Sequence, residues 1–114
     1  MCEILADGRV VLLRLFDIAE SLLRERGISL EYDEPVVNAL LYHGDWQTSK
    51  NPLLTLKGAW HRHVANVIEE LLLVGRLQRD DTVIVTGHPD GANVIEMIDI
   101  QVKVNGVTRM RLKL

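Results

Sequence analysis

The spacing of apolar side chains changes along this chain, and that change limits the folds open to it. Between residues 10 and 75 most apolar residues recur at intervals of three and four, the spacing of amphipathic helices. From Thr82 onward they alternate with polar residues, as in strands with one buried face. A chain that carries both patterns packs helices against a sheet, so we expect an α+β fold.

Helix and strand boundaries follow from glycine, proline and capping residues. Gly27, Gly44 and Gly75 are placed to end helices, and Asp33 before Pro35 is a candidate N-cap. Helices are expected over residues 10–26, from Asp33 to Gly44, and from about Pro52 to Gly75; strands over 28–32, 82–86, 95–104 and 107–114. We expect one domain over residues 1–114, with three helices on a small, mostly antiparallel sheet and an added C-terminal hairpin in residues 86–114.

The last two strands allow a prediction of register. A two-residue turn at Asn105 and Gly106 would set Ile100 opposite Arg111, which places an apolar face beside a basic one. A three-residue loop over 104–106 instead pairs Ile100 with Met110. The same register pairs Ile98 with Leu112 and Asp99 with Arg111. The apolar face has to be buried, and we expect the hairpin to extend the sheet beside the 82–86 strand.

Composition excludes several classes of protein. The formal charge of −3 and a pI near 5.8 lack the basic excess of nucleic-acid modules, so no nucleic-acid partner is expected. Apolar runs of four or five residues are far shorter than the ~20 needed to span a membrane, and the N-terminus has no secretory signal. The single cysteine, Cys2, excludes a disulfide framework and favours a reducing compartment.

Motifs for catalysis are missing from the sequence. The eight glycines do not form a phosphate-binding loop, and helix periodicity turns His61 and His63 to different sides, so no metal site is expected. The adjacent carboxylates at 69–70 and 80–81 are typical of solvated charge. Cys2 lies too near the terminus to be held against a histidine base. We expect that the chain alone is not an enzyme.

Trp46 leaves two interpretations open. It stands in a polar stretch, residues 45–52, that is rich in turn formers. An exposed aromatic residue there would be an anchor for a partner. A tryptophan that folds back would instead cover the core.

Four segments taken in order resemble a known family. They read Leu-Leu-Arg-Glu-Arg-Gly-Ile-Ser-Leu-Glu at 22–31, Leu-Lys-Gly-Ala-Trp-His-Arg at 56–62, Leu-Leu-Val-Gly-Arg-Leu at 72–77 and Asp-Thr-Val-Ile-Val at 81–85. In order and spacing they resemble the C-terminal small domain of Clp-type AAA+ chaperones of the ClpA and ClpB group. The resemblance covers residues 10 to 86.

The resemblance implies a mechanical and allosteric function. In that family the small domain lies beside the ATP or ADP of the parent protein, contacts the neighbouring subunit of a hexameric ring, and couples hydrolysis to the unfolding of aggregated or unfolded proteins. Its sensor arginine opens the last helix, where this chain has Leu54. Leucine cannot pair with phosphate, so direct phosphate sensing is in doubt. Lys57 matches a basic position of the family, and Lys50 is a second candidate; both also fit solvated surface lysines.

The tail beyond residue 86 adds to the family pattern. Its basic residues Arg109, Arg111 and Lys113 alternate along the last strand and are expected to face outward. They are candidates for contact with an acidic neighbour in the ring, or they protect an edge strand from aggregation. The alternative function is a free-standing interaction module of the same topology. The resemblance implies an intracellular location, in the cytoplasm or an organelle matrix.

Overall fold

The computed structural model describes residues 2–42, 46–88, 97–104 and 107–113, with the backbone alone at 2–3 and 109–113. The helices and strands, in chain order, are α1 (Cys2–Arg24), β1 (Ser29–Tyr32), α2 (Glu34–Tyr42), a 3₁₀ turn (Trp46–Thr48), α3 (Pro52–Trp60), a π-helical turn (His61–Ala65), α4 (Asn66–Leu73), β2 (Asp81–Gly87), β3 (Ile98–Val104) and β4 (Val107–Lys113). Four predictions lie outside the described residues: the helix end at Gly44, the 89–91 turn, the Asn105–Gly106 turn, and the environments of the Cys2 thiol and the basic side chains of β4.

The expected fold class is confirmed. The sheet has the order β1-β2-β3-β4, with β1 parallel to β2 and the other two pairs antiparallel. The segment α3, the π turn and α4 run on as one continuous helix over residues 52–73, so the described residues form three helices in all. The hairpin extends the sheet as predicted, because β3 pairs with β2 along its whole length.

The first helix is longer than its sequence pattern predicted. It begins at Cys2 rather than near Val10 and includes Gly8, a residue that weakens helix interiors. Packing explains why a glycine stands here: a Cβ at Gly8 would lie 2.6 Å from the Trp46 ring. The predicted start of the helix was wrong because the need for glycine at position 8 comes from Trp46, a residue far along the chain.

Two glycines end helices as predicted. Gly27 and Gly75 have φ of +76° and +73°, a backbone conformation that L side chains rarely adopt. In each case the next residue, Ile28 or Arg76, donates its N–H to a carbonyl five residues back. This is the Schellman arrangement, and it satisfies the last carbonyls of α1 and α4.

An aromatic cluster lies at the centre of the core. The ring of Phe16 stacks on Tyr32, with centroids 4.2 Å apart, and meets Trp60 edge-on at 5.8 Å. Phe16 is fully buried, so α1 is fixed against both the sheet and α3. The sheet contributes a layer of buried aliphatic side chains: Leu30, Val83, Val85, Ile98, Ile100 and Val102.

The hairpin register was predicted only in part. The even spacing that keeps apolar residues opposite one another is present, since Ile100 pairs with Leu112 and Val102 with Met110. The predicted partner of Ile100, Met110, is wrong, as is the three-residue loop. Val104 pairs with Val107, which leaves a two-residue connection, and a bulge follows between Val102 and Lys103. The bulge adds the residue that a two-residue turn lacks, so both devices together preserve the apolar pairing.

Candidate functional site

The residues that the family resemblance singles out lie around the start of α3. The Leu54 side chain is 65% exposed in the first turn, and Lys57 is exposed one turn later. Lys50 is exposed just before the helix. This end of α3 therefore presents two leucines, Leu53 and Leu54, and two cations to solvent, with no guanidinium at the position of Leu54.

Short-range hydrogen bonds hold the start of α3 in place. The Ser49 hydroxyl donates to the Trp46 carbonyl oxygen at 2.9 Å and lies 2.8 Å from the Thr55 hydroxyl. Asn51 occupies the N-cap position without a side-chain hydrogen bond, and Pro52 follows in the first turn. The segment that carries Lys50 and Leu54 is thus attached to the core through Trp46.

Trp46 itself covers the core. Its side chain is 3% exposed, and its indole N–H donates to the Leu41 carbonyl oxygen at 2.9 Å. The partner-anchor interpretation of Trp46 is therefore corrected, because a side chain buried to this extent offers almost no surface to another protein.

The π-helical turn lies in the middle of the long helix and was not predicted. The Asn66 N–H donates to the His61 carbonyl, five residues back. Buried residues recur here at intervals of four: Leu56, Trp60, Val64 and Ile68. At 3.6 residues per turn each such step overshoots the core by about 40°, so a wider turn keeps the row on one side. π turns are often found at functional sites.

A surface groove runs between α1 and the long helix beside this turn. Its volume is about 300 Å³. Leu15, Ile18 and Leu22 line it from α1, and Trp60, Ala65 and Ile68 from the other side. The polar side chains on its lining are Lys57, His61 and Glu69. We call this feature the α1–α4 groove.

Trp60, one of the residues that line the groove, has a buried indole N–H. It is 3% exposed, and its indole Nε1 is buried with no hydrogen-bond partner among the described residues. Buried N–H groups are nearly always paired, because desolvation without a partner is costly. Sequence reasoning missed this feature: Trp60 fits the apolar row of the helix, and nothing in the row shows whether its N–H finds an acceptor.

The two histidines of the π turn differ in exposure. His61 is exposed beside the groove, whereas His63 is half-buried. Burial lowers the pKa of His63 below 6.5, and the adjacent Arg62 guanidinium lowers it further. Within the described parts of the chain, no three His, Cys, Asp or Glu side chains are grouped closely enough to hold a metal ion.

A second polar feature lies where β2 ends. His88 Nε2 is hydrogen-bonded to Asp99 Oδ2, and the Asp99 side chain is buried while His88 remains partly exposed. Asp99 was predicted to face Arg111 on the wet side of the hairpin, but β3 pairs it with Lys113 and buries it. The alternating pattern of β3 predicts one buried and one exposed face. It does not show that both faces are covered at this end of the strand, where Ile98, Asp99 and Ile100 are all buried.

None of the described helices is long and apolar enough to cross a membrane. A scan against protein-family models and a search of curated proteins each return no match to the sequence.

Proposed function

We propose that this chain is the C-terminal small domain of a Clp/ClpB-type AAA+ chaperone, a protein unfoldase or disaggregase. Its role would be to contact neighbouring subunits of a hexameric ring and to couple ATP hydrolysis in the parent protein to substrate unfolding. The domain itself would not be catalytic. It would bind ATP or ADP only as part of the parent, and it would act inside the cell, in the cytoplasm or an organelle matrix.

The observation that carries the proposal is the exposure of large apolar side chains on α1 and just after α4. On α1, Ile18 and Leu22 are 57% and 59% exposed and lie one turn apart. After α4, Leu73 is 86% exposed and Val74 is 62% exposed. Large apolar side chains exposed to this extent fit a domain that packs against other domains of a larger assembly.

The continuous helix supplies a route for coupling. At 1.5 Å per residue, residues 52–73 span about 33 Å. One end carries Leu54 and Lys57, which match nucleotide-proximal positions of the family, and the other end carries the exposed Leu73. A rigid element between two contact surfaces lets a change at one bias the equilibrium at the other.

Recognition of nucleotide would differ from that of the family because of Leu54. Lys57 and Lys50 are exposed on the same end of the helix and are the cations that could approach a phosphate. An ammonium group acts as a point charge and makes no bidentate pair, so any contribution to phosphate binding would be weaker than that of the sensor arginine.

Immunoblotting of native extract with an antiserum against this chain tests the proposal. We expect a polypeptide several times the 12.9 kDa of the chain, migrating at the size of a hexamer when ATP is present. The sequence encoded upstream of Met1 should then contain a phosphate-binding loop. A band at the size of the chain alone, running as a monomer with or without ATP, would contradict the proposal.

The second candidate is a free-standing interaction module of the same topology. The same exposed apolar residues favour it, because a module of this kind also needs a docking surface. The immunoblot separates the two candidates, since only the module exists as a small, independent chain.

A further inference from the structure

We propose that the sheet of one copy of this chain continues into the sheet of the next, with the β4 edge of one copy paired to the β1 edge of another. Glu31 of β1 would then neighbour Arg111 of β4 across the contact. In a hexameric ring such a contact would join adjacent small domains, but it rests on the two sheet edges and not on the function proposed above.

The sheet ends in two outer strands whose far edges carry no partner strand in the parts of the chain that the structure describes. They are β1 and β4, at the two ends of the order β1-β2-β3-β4. The Asp33 N–H donates to the Val85 carbonyl oxygen at 3.3 Å, so alternation along β1 turns the N–H groups of Leu30 and Tyr32 to the outer edge. Backbone donors at such an edge are a template for an added strand.

One row of residues crosses the whole sheet from an acidic residue to a basic one. Glu31 pairs with Ile84 of β2, and Ile84 pairs with Gln101 of β3. Gln101 in turn pairs with Arg111 of β4. Residues paired in this way share one face of a sheet. A second copy added at the β1 edge, with its own row in line, therefore brings its Arg111 position next to Glu31.

The two outer strands differ in charge. The one charged residue of β1 is Glu31, which is exposed, whereas β4 has three basic residues at alternate positions, Arg111 among them, and no acidic residue. Two carboxylates of α1, Asp17 and Glu20, add to the negative charge near β1: burial raises the pKa of the Tyr32 hydroxyl, and these carboxylates raise it further. Opposite charges at neighbouring positions of paired strands stabilise the pair, so the charges favour β1 beside β4.

The same charges disfavour the other ways of joining two edges. Two β1 edges would bring one Glu31 toward another, and two β4 edges would bring basic residues together. Like charges on opposed strands are destabilising, so they act against both of these pairings. The contact between copies is therefore head-to-tail.

The strand directions allow this head-to-tail contact without a turn of the second copy. β2 is parallel to β1, and β3 and β4 each reverse direction, so β4 runs the same way as β1. Two copies in the same orientation thus form a parallel pair at the contact. A contact between unlike surfaces leaves one free edge at each end, so it builds rings or open filaments rather than closed dimers.

The contact is small. β1 has four residues, so the ladder is short and buries less surface than a stable complex does. We expect the isolated chain to associate only at high concentration, with a dissociation constant of about 0.1–1 mM.

Sedimentation velocity of the whole chain, with charge reversals at the two ends of the row, tests this proposal. We expect the sedimentation coefficient of the unsubstituted chain to rise with concentration, and E31K and R111E each to weaken the association about threefold or more. An equimolar mixture of E31K and R111E should associate more strongly than either variant alone, because each reversed charge then meets an opposite charge on the other variant.

Two exposed charges on the long helix provide matched controls. Glu70 and Arg62 lie outside the sheet, and E70K and R62E make the same changes of charge. Both controls should associate as the unsubstituted chain does. Circular dichroism checks that each variant is folded; if R111E is not, the comparison of E31K with E70K still decides the question.

Amide hydrogen exchange locates the contact. We expect the N–H groups of Leu30 and Tyr32 to exchange more slowly as the concentration of the unsubstituted chain rises, because they would donate to the added strand. In E31K the same two amides should respond less to concentration.

Several results would overturn the proposal. These are a sedimentation coefficient that does not rise with concentration, equal weakening by E31K and E70K, a mixture that associates no more strongly than its components, and exchange at Leu30 and Tyr32 that is independent of concentration. The immunoblot test of the assembly role measures the size of the natural polypeptide, so it can succeed or fail separately from these results.

Discussion

Asp33 and Gly87 are joined across the fold by a hydrogen bond in which the Gly87 N–H donates to Asp33 Oδ1 at 3.0 Å. The same oxygen accepts from the Val36 N–H at 3.0 Å, so it also caps α2 as the sequence predicted. One carboxylate oxygen thus fixes the start of a helix to the end of a strand that follows 54 residues later.

Removing this carboxylate should loosen both elements. Asp33→Ala should lower the free energy of unfolding by about 1–3 kcal/mol, because two backbone donors lose their acceptor. Asp33→Asn keeps an oxygen in the same position and should cost less than half as much. Urea denaturation followed by circular dichroism measures both, and equal losses in the two variants would contradict this role of the oxygen.

Two glycines should respond in opposite directions to alanine. A Cβ at Gly87 would lie 2.3 to 2.6 Å from backbone atoms of Pro35 and Val36, which cannot move aside as a side chain does. Gly87→Ala should therefore destabilise the protein by about 3 kcal/mol or more. Gly58 in α3 has open space around it, and Gly58→Ala should stabilise by about 0.5–1 kcal/mol. Thermal unfolding of the pair tests the contrast, which fails if both variants melt alike.

A charge in the sheet core should unfold the protein, whereas the same charge on α1 should not. Ile100 is fully buried in β3, and Ile100→Asp would bury an unpaired carboxylate. Ile18 is 57% exposed, and Ile18→Asp should keep the native circular dichroism spectrum with a change of about 1 kcal/mol or less. If Ile100→Asp stays folded and loses only self-association, then the hairpin is a contact between copies rather than part of the core.

Acidification should weaken the fold through His63. Burial and Arg62 place its folded-state pKa below 6.5, so the unfolded chain binds a proton more readily than the native one. The contribution of His63 is complete above about pH 6.5 and is lost as the pH falls toward the folded-state pKa. Urea midpoints at about pH 8 and pH 5 should therefore differ less in His63→Gln than in the unsubstituted chain. His61→Gln is the exposed control. If it narrows the difference between the two midpoints as much as His63→Gln does, the pH dependence does not come from His63.

Nucleotide should not bind the isolated chain. The exposed Leu54 carries no charge, and the sequence contains no phosphate-binding loop. Calorimetry with ATP should show no binding at micromolar concentrations. Because Leu54 is exposed, Leu54→Arg should leave the free energy of unfolding within about 0.5 kcal/mol. Micromolar binding of ATP by the unsubstituted chain would refute the prediction.

Much of the fold followed from local rules. Gly27 and Gly75 end helices because positive φ is a property of glycine, and Asp33 caps α2 because its oxygen reaches the third amide along the chain. Such features depend on neighbours in sequence, so they are visible without coordinates. The even pairing of the hairpin followed in the same way, from the need to keep Ile100 on an apolar face.

Features set by distant residues could not be predicted. The burial of Asp99 depends on His88, which approaches from beyond the end of β2, and Gly8 in α1 is explained only by the Trp46 ring. The unpaired N–H of Trp60 is of the same kind, because a row of apolar residues carries no information about missing acceptors. The bulge in the hairpin was not predicted either. A two-residue connection followed by a bulge keeps apolar residues opposite one another, just as a three-residue loop would.

The parallel pairing of β1 with β2 sets an order on how the chain can fold. Ser29 pairs with Thr82, so this ladder closes a loop of about fifty residues, whereas β3 and β4 are joined by a tight connection. Loop closure costs entropy before contacts compensate for it, so the hairpin can form early and the parallel pair late. During synthesis on a ribosome, β1 has no strand to pair with until α2, the long helix and β2 have been synthesised. A nascent chain stalled before Thr82 would expose that edge together with the apolar faces of its helices, and it would be the form of this protein most exposed to aggregation.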